Sequence, residues 1–360
     1  MDFVARGKLL LVGLSLVFLS ACQMGYLMKS GYGQMKLLNS RVPVEKALQD
    51  PSLAENKKAK LRLAQQARLF AEQDLHLKPT KNYTSYVELS QPYVTYVVSA
   101  APKWELKHHQ WSYPFLGQMP YKGYFDEADA QEEEKELQKQ DLDTYLRGVS
   151  AYSTLGWFND PILSSMLRYS DFDLVNTIIH ETVHATLYIK HAADFNERLA
   201  TFLGNKGAEQ FYLKKEGPAS PTLQQIKKEN ADQKLFSQFI SEELKELRQW
   251  YKLLPENEKQ ESLRTERLAS IQRRFASQII PQLQTENFKK FSELKLNNAR
   301  LLVYKTYMSD LNDFQQLYDL VGQDFARFIE ECKALENSKD PAQSLKELLV
   351  DIAKKNTYPQ

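Results

Sequence analysis

Cysteine is almost absent from this chain of 360 residues, which contains only Cys22 and Cys332. A small secreted fold held together by disulfides would need more cysteines, so a disulfide framework is excluded. Excess charge of one sign is also lacking, because 47 basic residues balance 46 acidic ones. The chain has no basic stripe and no nucleic-acid-reading motif, and we therefore expect no nucleic-acid partner.

Glycine and proline are sparse, at 13 and 14 residues, and no internal repeat or low-complexity tract interrupts the chain. Long helices are therefore plausible, and the 42% of hydrophobic residues can form a sizeable core. Cys332 stands among alternating apolar and charged residues, which predicts a half-buried thiol on a helix.

The N-terminus has the features of a targeting signal. Arg6 and Lys8 precede an apolar stretch, 9–19, that is too short to span a bilayer. Residues 19–22 (LSAC) resemble the lipobox of bacterial lipoproteins, in which the signal is cut before the cysteine and the cysteine is acylated. We predict a signal peptide over 1–21 and a lipid on Cys22 that anchors the chain to a membrane.

The residue after the predicted lipid site refines the predicted location. Position 23 is Gln rather than Asp, and by analogy with Gram-negative sorting this favours the outer membrane, facing the periplasm. The predicted location is thus the bacterial cell envelope. An ordinary secretory signal with a chance cysteine is the alternative.

Periodicity predicts the secondary structure of the N-terminal half. Two helices are expected within 34–76, the second over 57–75 with an apolar stripe. Residues 93–98 predict a strand, and prolines and glycines predict short strands and turns up to residue 125. A charged helix is expected over 126–146, and Asp171 or Asp173 is expected to cap the next helix.

After Gly207 the sequence becomes helical to its end. Apolar residues recur at helical spacing between charges, which is typical of helices with solvated faces. The expected helices are 224–254, 257–284, 288–320 and 344–355. We predict two regions, a core over 22–210 and a helical C-terminal region over 211–360, and we assign no chemistry to the second.

The main motif is HETVH, from His180 to His184. On a helix the residues i and i+4 lie on one face, so His180 and His184 can both reach one zinc ion. Glu181 lies beside that face, where it can take a proton from a zinc-activated water. The alternative is that the two histidines are buried in the core, with their hydrogen bonds satisfied, and bind no metal.

A catalytic zinc site needs a third protein ligand. The preceding helix is expected to end near His191, and the next to restart at Phe195. Glu197, early in that second helix, is the favoured ligand, followed by Asp194 and then His191. For Asp194 a role as helix N-cap is favoured over metal binding.

A tetrahedral transition state would need a further donor for its oxyanion. Tyr152 and Tyr188 are the candidates for transition-state stabilisation or for lining the cleft, and packing is the alternative for each. The run AYSTLGWFNDP, from Ala151 to Pro161, either lines the substrate cleft or packs beneath the zinc helix.

Several segments together resemble a family of bacterial lipoproteins described as putative aminopeptidases, within the HExxH zincin peptidases. The resemblance covers roughly residues 20–210. Its segments are the lipobox, Gly25-Tyr26, RLFA at 68–71, Trp111 with Pro114 and Gly117, YKGYF at 121–125, the run at 151–161, HETVH, and FNERLA at 195–200.

The resemblance implies a zincin-like fold, with His180, His184 and Glu197 as zinc ligands, Glu181 as base, and aminopeptidase activity on a peptide or protein. We therefore expect an α+β fold, mainly α, with a zincin-like core, a small N-terminal sheet region and a helical C-terminal half. No GxMEN segment of the kind that binds a substrate amino group is present. An envelope endopeptidase and a non-catalytic envelope lipoprotein therefore stay open as alternatives.

Overall fold

The computed structural model describes residues 24–113, 117–151, 154, 158–307 and 311–357. Helices dominate this part of the chain, as the sequence predicts. The helices are α1 (24–39), α2 (Val44–Gln49), α3 (Glu55–Gln73), α4 (Glu127–Lys139), α5 (Asp171–Thr186), α6 (Ala193–Glu216), α7 (Pro221–Leu253), α8 (Glu261–Arg274), α9 (Asn298–Tyr307), α10 (Asn312–Leu320), α11 (Phe325–Lys333) and α12 (Pro341–Thr357). Within the described residues, no helix combines the length and the apolarity that crossing a bilayer requires.

The strands form small sheets. The strands are β1 (Val42–Pro43), β2 (Ser85–Val87), β3 (Thr95–Pro102), β4 (Trp111–Tyr113), β5 (Gly117–Met119), β6 (Lys122–Tyr124), β7 (Leu142–Val149) and β8 (Ile162–Leu163). The order β6-β3-β7 is antiparallel, β1-β2-β8 contains one antiparallel and one parallel pair, and β4 pairs with β5 as a hairpin.

The largest apolar core surrounds α5. Helices α3 and α6 pack against it, and the predicted apolar stripe, which extends from α3 to Leu75 just past its end, is buried there: Leu61, Ala64, Ala67, Ala71 and Leu75. Side chains of α10, α11 and α12 enter the same core from the C-terminal end of the chain. The helices that carry the HETVH and FNERLA segments are therefore held between early and late parts of the sequence.

Two further cores complete the molecule. One joins α7, α8 and α9 around Phe236, Phe275 and Phe291. The other lies between α4 and the β6-β3-β7 sheet. Arg264 of α8 and Asp143 of β7 form a buried ion pair, and Asp143 also accepts a hydrogen bond from the backbone N–H of Asn298. This pair ties the helical region to the sheet.

The structure corrects the helix expected over 126–146. Helix α4 ends at Lys139, and residues 142–149 form β7 instead. Strand β7 pairs along its whole length with β3, from Leu142 opposite Pro102 to Val149 opposite Thr95. The charges of this segment suggested a continued helix, but pairing with a buried strand decides its conformation.

Other element boundaries also differ from the predicted ones. Helix α1 begins at residue 24, ten residues before the first helical region that the sequence predicts. The helix expected over 288–320 is instead a 3-10 segment, Lys289–Glu293, followed by α9 and α10. Cys332 is fully buried on α11, not half-buried, because it lies on the inward apolar face with Phe328.

Candidate metal centre

Helix α5 begins at a serine cap. Ser170 is the N-cap, and its Oγ accepts a hydrogen bond of 3.0 Å from the backbone N–H of Asp173. The prediction that Asp171 or Asp173 caps this helix was therefore wrong, although both lie in the first turn, where acidic residues complement the helix dipole. Leu174, Ile178 and Ile179 are fully buried, and this apolar face fixes the rotation of the helix.

The chain leaves α5 earlier than expected. Helix α5 ends at Thr186, and α6 begins at Ala193, so the turn between them is longer than the sequence predicted. His191 adopts a left-handed backbone conformation in this turn, with φ of 65°. The N-cap position of α6 is Ala192, without a side-chain cap, so the prediction of Asp194 as N-cap was wrong.

Asn196 fastens this turn from inside. Its Oδ1 accepts a hydrogen bond of 2.9 Å from Ile189 N, and its Nδ2 donates one of 2.8 Å to Ile189 O. Asn196 is buried, with 1% of its surface exposed. Because Glu197 is the next residue, this pair of bonds sets where Glu197 enters the site. Sequence reasoning missed Asn196, although it lies within the FNERLA segment.

Helices α5 and α6 approach each other closely at two glycines of α6. A Cβ on Gly204 would lie 2.9 Å from Asn176 Oδ1 and 3.3 Å from the Cβ of His180. A Cβ on Gly207 would lie 3.0 Å from Ile179 Cγ2. The absence of side chains here lets the two helices pack near enough for Glu197 to reach the histidines of α5.

The structure brings together His180, His184 and Glu197. The Nε2 atoms of the histidines are 3.2 Å apart. Glu197 places Oε2 at 3.5 Å from Nε2 of His180 and Oε1 at 3.6 Å from Nε2 of His184. A tetrahedral zinc ion with bonds of about 2.0–2.1 Å keeps its ligands about 3.3–3.4 Å apart. The spacing and the chemistry of these donors therefore fit a zinc ion.

The protonation of this triad also suits a cation. Burial and the charge of His180 lower the pKa of His184 to about 4, so His184 is neutral at neutral pH. Burial opposes the ionisation of Glu197, but the hydrogen bond from His180 and the interactions with the two imidazoles and with Arg147 leave its pKa lowered. An anionic carboxylate and a neutral imidazole are ready donors.

His180 is the member of the triad that most readily takes up a proton. Burial lowers its pKa, but the hydrogen bond with Glu197 and the charges of Glu181 and Glu197 outweigh burial, and the net shift is upward. A metal ion at this position would have to displace that proton. Nδ1 of His184 is buried and finds no hydrogen-bond partner among the described residues, so nothing in that part of the chain fixes its tautomer.

Glu181 lies beside the triad but is not part of it. Among the described residues, the group of side chains that could hold a metal ion consists of His180, His184 and Glu197. Glu181 is half-buried. Burial raises its pKa to about 7, with the charge of His180 opposing and those of Glu197 and Asp160 adding to the shift. A carboxyl group with this pKa can accept and release a proton near neutral pH.

The run at 151–161 is held by Asp160. Its carboxylate accepts hydrogen bonds from Thr154, 2.9 Å from the backbone N and 2.7 Å from Oγ1. Its backbone N–H donates to Oδ1 of the buried Asn82 at 3.0 Å. Asp160 is itself buried, and its charge reaches Glu181. The described part of the run is thus anchored close to the candidate base.

Tyr152 lies outside the described residues. Tyr188 is half-buried, and burial, followed by the charge of Glu197, raises the pKa of its phenol. Asp194 and His191 do not belong to the metal-binding group of the described residues. Arg147 of β7, whose charge lowers the pKa of Glu197, was missed because no motif marks it.

The comparison with protein families identifies the chain at the level of its family. A family model described as "Putative aminopeptidase" matches residues 25–348, and the chain therefore belongs to this family. The match continues through the helical C-terminal region, well past residue 210, where the recognisable sequence motifs end. No curated protein and no solved structure matches the chain. Family membership supports a peptidase that acts on peptides.

Proposed function

We propose that this protein is a zinc-dependent aminopeptidase with a zincin-like core, in which His180, His184 and Glu197 hold the metal. The observation that carries the proposal is the cluster of donor atoms next to Glu181. The two Nε2 atoms are 3.2 Å apart, and Glu197 places one oxygen 3.5 Å from His180 and the other 3.6 Å from His184, which leaves Glu181 for catalysis. The family description supports the peptidase activity.

Zinc, when bound, supplies a Lewis acid that polarises the scissile carbonyl and makes water more acidic. Glu181 then takes a proton from the attacking water and delivers it to the leaving amine. The raised pKa of Glu181, about 7, suits both transfers, and a bound cation would lower it. Helix α5 holds the base and both histidine ligands on one rigid element, which keeps their relative positions fixed.

Two substitutions separate metal binding from catalysis. Glu197→Ala removes one of three ligands, and we expect it to lose most of its zinc affinity. Glu181→Gln keeps the shape of the side chain and all three ligands, so it should bind stoichiometric zinc and lose activity. Metal content after dialysis, measured beside peptide hydrolysis, checks both. Stoichiometric zinc in Glu197→Ala would show that Glu197 is not the third ligand.

The cleavage pattern tests the aminopeptidase part of the proposal. The zinc-loaded protein is incubated with a mixed peptide library, with Glu181→Gln as control, and the products are analysed by mass spectrometry. Stepwise loss of N-terminal residues supports an aminopeptidase. Internal cuts would show that the protein is an endopeptidase instead, which is the alternative that the missing GxMEN segment favours. If neither protein cleaves any peptide, the non-catalytic alternative gains support.

We also propose that a lipid on Cys22 anchors the protein in the cell envelope, in the outer membrane and facing the periplasm. The sequence at 19–22 and Gln23 support this location. Mass spectrometry of the mature N-terminus should find an acylated Cys22, and Cys22→Ser should release the protein from the membrane fraction. An unmodified N-terminus on the membrane-bound protein would contradict the anchor.

A further inference from the structure

Helix α1 (24–39) is docked on the molecule through the face that holds Tyr26 and Gly33. The hydroxyl of Tyr26 donates a hydrogen bond of 2.9 Å to Gly123 O, and its ring contacts Tyr124 edge-on at 5.3 Å. At Gly33, on the same side, a Cβ would lie 2.5 Å from the Phe125 ring. Lys29 reaches Asp129 of α4 at 2.8 Å. These contacts fix the rotation of α1 on the β6-β3-β7 sheet and α4.

The opposite face of α1 is apolar and open to solvent. At 100° per residue, positions 24, 28 and 35 point about 180° away from Tyr26 and Gly33, with 27 and 32 on either side. Five of the twelve exposed large hydrophobic side chains in the described part of the chain lie here: Met24 58%, Leu27 36%, Met28 70%, Tyr32 72% and Met35 51% exposed. We call these five residues the α1 apolar face.

We propose that the α1 apolar face rests in the interface of a lipid bilayer and sets the orientation of the protein on the membrane. This proposal goes beyond the proposed lipid anchor but draws support from it. Met24 follows Cys22 by two residues, so an extended chain separates them by at most about 7 Å. A lipid on Cys22 would therefore hold this face at the bilayer surface.

The chemistry of the face fits a bilayer interface. It contains thioethers, one aliphatic side chain and one phenol, without a charge, and Tyr is favoured where one end of a side chain is apolar and the other is wet. Lys36 is exposed on the flank, as is common for helices that lie in the headgroup region. The α1 helix is docked and not loose, so its insertion would hold the β6-β3-β7 sheet and α4 at a fixed distance from the membrane.

Site-directed labelling tests the proposal in the mature protein. Cys332 is fully buried, and an acylated Cys22 has no free thiol, so an introduced cysteine is labelled selectively. An environment-sensitive fluorophore is attached to Met28→Cys or Tyr32→Cys, with Leu253→Cys as the matched control, since Leu253 is 72% exposed at the end of α7. The labelled proteins are reconstituted in phosphatidylcholine vesicles.

We expect blue-shifted emission at positions 28 and 32 and strong quenching by spin-labelled lipid, with neither effect at 253. Water-like emission at all three positions in vesicle-bound protein would overturn the proposal. A blue shift at 28 and 32 that is already present without vesicles and grows with protein concentration would overturn it in favour of a second copy of the chain.

The lipid anchor and the apolar face can fail separately. If the purified protein carries no acyl group, the anchor proposal is wrong, and cosedimentation with phosphatidylcholine vesicles tests the face alone. The double variant Met28→Glu/Tyr32→Glu should then lower vesicle partitioning about tenfold relative to wild type, because it places two charges in the interface. Leu253→Glu should leave partitioning unchanged. Equal partitioning of all three proteins would overturn the proposal.

Discussion

At the scale of single residues, the site depends on one buried amide as much as on its charged groups. Asn196 satisfies both backbone groups of Ile189 and thereby places the following Glu197. The HETVH motif marks two donors, but the third reaches them only because this turn is closed. Asn196 carries no charge, and its type alone does not distinguish a positioning role from an ordinary buried amide.

Replacing Asn196 tests that role. Asn196→Ala leaves two buried backbone groups unpaired, and we expect a loss of about 2–4 kcal/mol in the free energy of unfolding. Zinc affinity should fall at least tenfold, because Glu197 is no longer held. Asn205→Ala is the control. Asn205 lies on α6, as Asn196 does, and its replacement removes one hydrogen bond of 2.7 Å, which Asn176 of α5 donates. Equal zinc affinity in both variants would contradict a positioning role for Asn196.

The pH dependence of zinc binding follows from the triad. His184, with a pKa lowered to about 4, does not compete with zinc near neutral pH. His180 has its pKa raised above 6.5, while that of Glu197 lies below 4.5. Between pH 4.5 and 6.5 one proton must therefore leave His180 for each zinc bound. We expect the affinity for zinc to fall about tenfold for each unit by which the pH is lowered in this range.

Wild type and Glu181→Gln are titrated side by side. The variant removes the second group that titrates nearby, but it also removes one of the charges that raise the pKa of His180. Competition with a chromophoric chelator gives the zinc affinity at each pH. A flat profile between pH 4.5 and 6.5 would mean that His180 is already neutral and that its contact with Glu197 does not hold a proton.

At the scale of elements, the decisive feature is the close packing of α5 and α6. Gly204 and Gly207 remove the side chains that would separate them. Glycine in a helix interior costs about 1 kcal/mol relative to alanine. The site geometry offers a reason for that cost, since a larger spacing would take Glu197 away from His180 and His184.

A branched side chain at this contact should open it. Gly204→Val would meet the backbone O of Asn176 at 3.3 Å and the Cβ of His180 at 3.3 Å, and neither atom can move without shifting α5. We expect a loss of about 1–3 kcal/mol in stability and weaker zinc binding. Gly31→Val is the control, because nothing lies within 4 Å of the position of its Cβ. Thermal unfolding and metal titration measure both effects.

At the scale of the whole molecule, the core around α5 crosses residue 210. Phe314 and Leu317 of α10 and Phe328 of α11 are fully buried in it. Phe314 packs against Phe195 and Phe202 of α6, with ring centroids 5.3 and 6.0 Å apart. The family match to residue 348 agrees with this continuity. The boundary between 22–210 and 211–360 remains a prediction from sequence.

Truncation tests that boundary. Cutting after residue 210 removes several fully buried side chains, each contributing about 1.5–3 kcal/mol, against a total stability of about 5–15 kcal/mol. We therefore expect the fragment 22–210 to lack a cooperative thermal transition and to bind no zinc, whereas the chain from 22 to 357 does both. A cooperative fragment with stoichiometric zinc would establish 22–210 as an independent domain.

The sequence by itself determined the features that depend on local spacing. The buried stripe of α3 and the helical C-terminal half follow from apolar residues at helical spacing. The β-branched and aromatic residues at 93–98 predict a strand, which the structure has at 95–102. The same periodicity placed His180 and His184 on one face of a helix. The family resemblance of residues 20–210 rests on motifs of the same local kind.

Tertiary structure decided what depends on contacts between distant residues. Residues 142–149 form a strand because β3 is there to pair with them. Glu197 meets the histidines because Asn196 closes the turn and Gly204 lets the helices approach. The inward and outward faces of α1 depend on its contacts with Gly123 and Phe125. A local pattern fixes the direction of a side chain on its own element but not the partner that it meets.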